Sequence, residues 1–170
     1  MDFRRNLKLM AFDVDGVLTD GSLYYTETGT EMKAFNTLDG HGLKMLQRAG
    51  IRLAIITGRK SGCVEHRAKN LGIDLLYQGV EDKREVMNTL LGELGLTFAD
   101  AGYMGDDVVD LPVMRACGFS AAPANAHELV KRHASYTCQR SGGNGAAREL
   151  CEYLLQAQGK LDIMLDTYLR

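Results

Sequence analysis

Two carboxylates stand one residue apart near the start of the chain, Asp13 and Asp15 in Phe12-Asp13-Val14-Asp15-Gly16, directly after an apolar run. Side chains alternate along an extended backbone, so both acids can point the same way. Such a pair can divide labour. One acid stays ionised as a nucleophile while its neighbour keeps a proton for a leaving group, once their surroundings separate their pKa values. Thr57 in Ile56-Thr57-Gly58-Arg59, Lys83, and Asp106 in Gly105-Asp106-Asp107 also stand at or just beyond the ends of apolar runs. A carboxylate attacking a phosphate monoester meets like-charge repulsion, and the transition state spreads negative charge over the phosphoryl oxygens. That chemistry needs converging cations and donors. Lys83 would supply a fixed positive charge and Thr57 a hydroxyl hydrogen bond. A hard divalent ion held by Asp13, the Asp15 backbone carbonyl and Asp106 would supply the rest; Mg2+ suits this oxygen set, and no His/Cys set stands at zinc-ligand spacing. Four crowded acids are coherent only with a bound cation.

Some of these positions have plainer uses. Asp107 and Asp110 suit a turn and a helix cap. His41, in Asp39-Gly40-His41-Gly42, suits a helix start or packing as well as a substrate contact, while His66, His127 and His133 read as helix-surface residues. Thr57 alone could be an ordinary strand exit, and Lys83 alone a surface lysine. The order of acid pair, hydroxyl, lysine and acid pair at four successive strand ends is what chance does not readily produce.

The elements that must position these residues follow from periodicity. Short apolar runs at 7–13, 51–57, 74–79, 101–105 and 119–122 read as strands, and helical patterns fall between them. The helices run over 39–49, 61–71, 82–94 and 107–117, each closed by a glycine at 50, 72, 95 or 118. Strict alternation predicts an α/β fold: one Rossmann-like, doubly wound parallel sheet over residues 1–170, whose carboxyl ends form the ligand crevice. One segment breaks the rhythm. Residues 23–26 and 31–35 flank Glu27-Thr28-Gly29-Thr30, the turn chemistry of a β-hairpin inserted after the first strand, about 21–35. Ser141-Gly142-Gly143-Asn144-Gly145 precedes a helix from Ala146 to about Gln158, and a tail follows from about 159 to 170.

A chain of 170 residues can bury a core without staples. With 20 Lys+Arg against 22 Asp+Glu, for a formal charge of -2, no global field favours nucleic acid or an anionic membrane. The expected partner is a small molecule. The four scattered cysteines read as reduced thiols, and the N-terminal apolar stretch, interrupted by Lys8, reads as a buried strand rather than a signal peptide.

Asp13-Val14-Asp15-Gly16-Val17-Leu18-Thr19-Asp20, Thr57-Gly58-Arg59, Lys83 and Gly105-Asp106-Asp107 resemble the four motifs of the haloacid dehalogenase superfamily in order and spacing. Lys33-Ala34-Phe35-Asn36, Tyr77-Gln78-Gly79, Ala157-Gln158-Gly159-Lys160 and the segment 142–149 narrow the resemblance to its capless family of 3-deoxy-D-manno-octulosonate 8-phosphate phosphatases. The resemblance implies a cytoplasmic, Mg2+-dependent homotetramer of lipopolysaccharide precursor synthesis acting through an aspartyl-phosphate. It implies catalytic roles for Asp13, Asp15, Thr57 and Lys83 and metal ligation by Asp13, Asp15 and Asp106. It implies substrate contacts at Asp15, Asn36, Thr37, Leu38, Asp39, Gly40, Lys44, Arg59, Arg67 and Lys83, with Arg148 a further anionic contact. Leu38 and Lys44 stand where arginine is often found, and Lys44 lacks the planar fork that grips a carboxylate at two points.

The hairpin is too small to be a lid, and an isolated two-stranded hairpin is marginal in water, which predicts an oligomer whose hairpins meet. In the resembling family the hairpin lies beside a neighbour's site and the tail can cover it; residues 142–170 are expected to act likewise, with the fold surviving loss of everything after Gly159. Two other functions fit parts of the pattern. One is a phosphatase for a nine-carbon sugar acid 9-phosphate. The other is a phospho-accepting receiver domain, although receivers place the accepting aspartate on a later strand.

Overall fold

A computed structural model describes residues 3–170. Four largely buried strands and the half-buried β5 carry the central sheet: β1 (Leu9–Phe12), β4 (Arg52–Ile56), β5 (Leu75–Tyr77), β6 (Ala101–Met104) and β7 (Phe119–Ala122), with a two-residue edge strand β8 (Tyr136–Thr137). The short pair β2 (Tyr24–Tyr25) and β3 (Glu31–Met32) forms the antiparallel hairpin. Sheet order is β5-β4-β1-β6-β7-β8, and every pairing within it is parallel. The chain moves outward from β1 to β5 and then returns to the other side at β6. The direction reverses at β1, which puts the crevice at its carboxyl end.

Helices α1 (Thr37–Arg48), α2 (Gly62–Leu71) and α6 (Ala146–Ala157) cover one face; α3 (Lys83–Leu94), α4 (Leu111–Ala116) and α5 (Glu128–His133) cover the other. The period of two along each strand divides the core between them. Met10, Phe12, Leu53 and Ile55 pack with α1, α2 and α6, while Leu9, Ala11, Ala54 and Ile56 pack with α3, α4 and α5. Side-chain caps start three of the four long helices: Asn36 accepts from Leu38 and Asp39 N–H, Ser61 from Cys63 N–H, and Asp82 from Glu85 N–H.

Four elements differ from the sequence reading or sharpen it. The 107–117 helix is a 3-10 turn, Val108–Asp110, followed by α4, with Pro112 near its start. The sequence reading set His127 and His133 on a helix without giving it bounds, and α5 supplies it, with His127 as its cap; β8 was not anticipated. The C-terminal tail is helical, α7 (Leu161–Asp166), and packs Leu161, Met164 and Leu165 against the core formed with α1 and α6. Lys160 Nζ donates to Ala49 O at 2.7 Å, and Tyr168 Oη lies 2.8 Å from His41 Nε2. In this structure the tail packs against its own α1 and α6. Among the described residues no helix is long and apolar enough to cross a membrane.

Candidate active site

The β1 exit sets the geometry. Val14 O accepts from Val17, Leu18 and Thr19 N–H at 2.9–3.1 Å, folding residues 14–19 into a closed turn beside Asp13. Gly16 has φ 87°, and a Cβ there would lie 2.0 Å from Asp106 Oδ2. Only glycine lets the loop and the Asp106 carboxylate approach so closely. The Gly142-Gly143 backbone presses on the same loop from outside: Gly143 N–H donates to Val17 O at 3.1 Å, and a Cβ on Gly142 would sit 1.8 Å from Gly16 O.

A cleft of about 620 Å³ opens over this loop, lined by Asp13, Asp15, Thr57, Arg59, Lys83 and Asp106, with Gly21, Gly58, Val80, Glu81, Asp107 and Val109 at its margins. The positions drawn from four strand ends therefore share one space. Two smaller hollows lie at the amino ends of the strands, away from any cluster of acids.

Asp13 is buried, with Oδ1 accepting from Val14 N–H at 2.7 Å and Oδ2 2.8 Å from Lys83 Nζ. Burial and the Asp110 charge push its pKa up, and Lys83 opposes them. Lys83, the first residue of α3 after the Asp82 cap, also reaches Asp110 Oδ1 at 2.6 Å. Burial works against its ammonium, but the two carboxylates outweigh it and hold its pKa above the lysine value. Asp106 is pushed up to about 7 by burial and by Asp110, Asp13 and Asp107.

Asp110 is the residue that sequence reasoning undervalued. It is fully buried, and each carboxylate oxygen is used twice: Oδ1 by Lys83 and by Tyr103 Oη at 3.3 Å, Oδ2 by Asp106 and Asp107 N–H at 3.0 and 3.2 Å. It orients both the lysine and the Gly105-Asp106-Asp107 turn. Asp107 is a cap, accepting from Val108 N–H at 2.7 Å. Carboxylate oxygens of Asp13, Asp106 and Asp110 all lie within 4.8 Å of one another. Because Asp110 is saturated, Asp13 and Asp106 are the pair with capacity for a cation, and the raised Asp106 pKa comes first from burial and second from carboxylate repulsion, both of which a cation would offset.

The other expected substrate positions do not line this cleft. Asn36 spends its side chain on the α1 cap. Asp39 is buried, with Oδ1 accepting from Arg148 N–H at 2.9 Å and Oδ2 from Gly145 N–H at 3.4 Å, so it braces the start of α6. Gly40 makes room for Arg67, whose Nη2 would be 2.3 Å from a Cβ there and donates instead to Asn36 O at 3.0 Å. Thr37, Leu38 and Lys44 are exposed on α1. Arg148 donates to Glu152.

A doubly wound parallel sheet with this acid, hydroxyl and lysine set at its carboxyl rim defines a haloacid dehalogenase-like hydrolase, and residues 77–150 match the family of that description. The chain is 47% identical over 157 residues to the 3-deoxy-D-manno-octulosonate 8-phosphate phosphatase KdsC of Escherichia coli K12, covering 92% of this chain and 84% of that protein. A probable YrbI family phosphatase from Pseudomonas syringae superposes with TM-score 0.97 at 52% identity, covering 99% and 96% of the two chains. The Moraxella catarrhalis 3-deoxy-D-manno-octulosonate 8-phosphate phosphatase, solved with magnesium, phosphate and KDO, gives 0.96 at 43% identity over 98% and 95%. The chain belongs to the 3-deoxy-D-manno-octulosonate 8-phosphate phosphatase family. A signalling receiver is thereby set aside.

Proposed function

We propose that this chain is an Mg2+-dependent phosphatase that hydrolyses 3-deoxy-D-manno-octulosonate 8-phosphate to the sugar acid and phosphate. One observation carries the reading: Asp13, held by Lys83, shares its cleft with Asp15, Thr57 and Asp106 in a fold that superposes on a relative solved with magnesium, phosphate and KDO. Asp13 and Asp106 would hold the metal with the Asp15 backbone carbonyl. Bound there, Mg2+ supplies charge that offsets both the crowded carboxylates and the phosphoryl oxygens.

The chain's own residues do the rest. Lys83 favours the ionised Asp13, whose oxygen attacks phosphorus; Asp15 gives its proton to the departing alcohol, and Thr57 donates a hydrogen bond to a phosphoryl oxygen. In the second half, water attacks the aspartyl-phosphate, Asp15 takes its proton, and Asp13 is regenerated. Arg59, at the cleft margin, suits the substrate's anionic groups, and the positions on α1 would serve across a subunit boundary.

The reading includes a cytoplasmic homotetramer in lipopolysaccharide precursor synthesis. Exposed Leu23, Tyr24, Tyr25 and Met32 on the hairpin support the assembly, and four unpaired cysteines suit the compartment. A phosphate-release assay over eight- and nine-carbon sugar acid phosphates tests it. Repeated turnover with a higher kcat/KM for the eight-carbon acid is expected, lost on chelation of Mg2+ and in Asp13→Asn. Preference for the nine-carbon acid would overturn the substrate, and full activity in Asp13→Asn the mechanism.

A further inference from the structure

Asp15 Oδ1 receives Lys33 Nζ at 2.5 Å, and its Oδ2 lies 3.6 Å from Arg59 Nε. Lys33 follows β3 in a hairpin that is otherwise largely exposed, yet its side chain is 1% exposed. A lysine that buries its ammonium gives up hydration and rotamer freedom, so it needs carboxylates on more than one side. Glu31 Oε1 supplies the second at 3.2 Å, an ion pair without hydrogen-bond geometry. Glu31 Oε2 in turn takes Arg59 Nη2 at 2.5 Å, and that nitrogen also donates to Tyr25 Oη at 3.0 Å. Two separate elements, the hairpin and the β4 exit, thus grip one carboxyl group from its two oxygens.

We infer that Lys33 is a positioning residue for the reaction: its ammonium, delivered by the hairpin, orients the Asp15 carboxyl so that its proton is given to the departing alcohol oxygen. This rests on the role proposed for Asp15. The balance closes within the chain. As the Asp13 oxygen bonds to phosphorus, the bond from phosphorus to the alcohol oxygen breaks and that oxygen takes the Asp15 proton. Asp15 is left ionised beside Lys33. Water then returns a proton to Asp15 as its oxygen bonds to phosphorus and the bond to Asp13 breaks. The fixed ammonium holds the same carboxyl oxygen in place through both steps. It also explains why the hairpin carries charged residues on the side facing the cleft and apolar ones outward.

A tether that merely held the hairpin would slow every substrate alike, whereas a residue acting through the proton donor matters only where the leaving oxygen needs a proton. The test is kcat/KM, which ends at departure of the leaving group, for the sugar acid phosphate and for p-nitrophenyl phosphate. Lys33→Met is expected to lower the first by about 10–100-fold and the second by less than about threefold, the fractional loss of an acid whose full worth is about 10²–10⁴. Retained action on p-nitrophenyl phosphate also reports an intact fold. Equal losses on both substrates, with an unchanged unfolding temperature, would overturn the inference. If Lys33→Met does not fold, Lys33→Gln, which keeps an N–H donor toward the acids, is judged by the same ratio. Asp15→Asn separates the levels. Absence of leaving-group selectivity there removes the proton donor itself and the inference with it; selectivity there but not in the Lys33 variants overturns the Lys33 role alone.

Discussion

Asp106 shows how one side chain ties stability to pH and metal. Its pKa stands near 7 in the folded chain against 3.8 for the free side chain, raised by burial and by Asp110, Asp13 and Asp107. The sign follows from proton counting. Between those two values the folded state binds the extra proton, so folding stability falls as pH rises from about 4 to about 7 and levels off above. Without Mg2+ the unfolding temperature should therefore decrease over that range, and saturating Mg2+ should reverse much of the decrease, with a larger gain at pH 8 than at pH 6. Thermal unfolding with and without chelator measures both; a metal-induced gain that is the same at both pH values would contradict the assignment of Asp106. The positions of Asp13, Asp15, Thr57, Lys83 and Asp106 were legible because each follows an apolar run, and strand ends converge in a parallel sheet. Asp110 was not. Its acid falls four residues after Asp106, where a helix cap is the cheaper explanation, and nothing in a single sequence marks an aspartate as fully buried with both oxygens spoken for.

Elements were read well where they are long and periodic and poorly where they are short. β1 and β4 through β7 each carry a dense apolar run, and α1, α2, α3 and α6 carry ten to twelve residues with a buried stripe. β8 has two residues at the sheet edge and α5 has six, too few for a period to declare itself. The tail is the instructive case. Residues 161–165 place three apolar side chains on one face, and that face packs on α1 and α6. The expectation that the fold survives loss of everything after Gly159 untouched therefore changes. Deletion exposes the patch now covered by Leu161, Met164 and Leu165, partial burials worth about 2–4 kcal/mol together. For a chain of this length that predicts an unfolding temperature lower by about 5–15 °C, read by calorimetry or circular dichroism. An unchanged unfolding temperature would mean that α7 is not docked in solution.

At the scale of the whole molecule the hairpin does two jobs with its two sides. Its inner side carries Tyr25, Glu31 and Lys33 to Asp15 and Arg59; its outer side leaves Tyr24 and Met32 44% and 55% exposed. Two residues per strand cannot hold such a ribbon in one place by themselves. If neighbouring hairpins cover that outer side, assembly and catalysis become coupled, because the same backbone that meets the partner fixes the ammonium beside the proton donor. Tyr24 is the residue to change, since it faces outward and takes no part in the Asp15 network. If the subunits meet through this side, as proposed, Tyr24→Glu should place a charge in that contact and shift the mass in solution from assembly toward monomer, a change light scattering resolves at micromolar concentration. The monomer should retain its secondary structure but lose kcat/KM on the sugar acid phosphate by about tenfold or more, in step with the fraction dissociated, because a mobile hairpin no longer delivers Lys33. A fully active monomer would show that the site is complete without a neighbour, and an undisturbed tetramer would show that the subunits meet elsewhere.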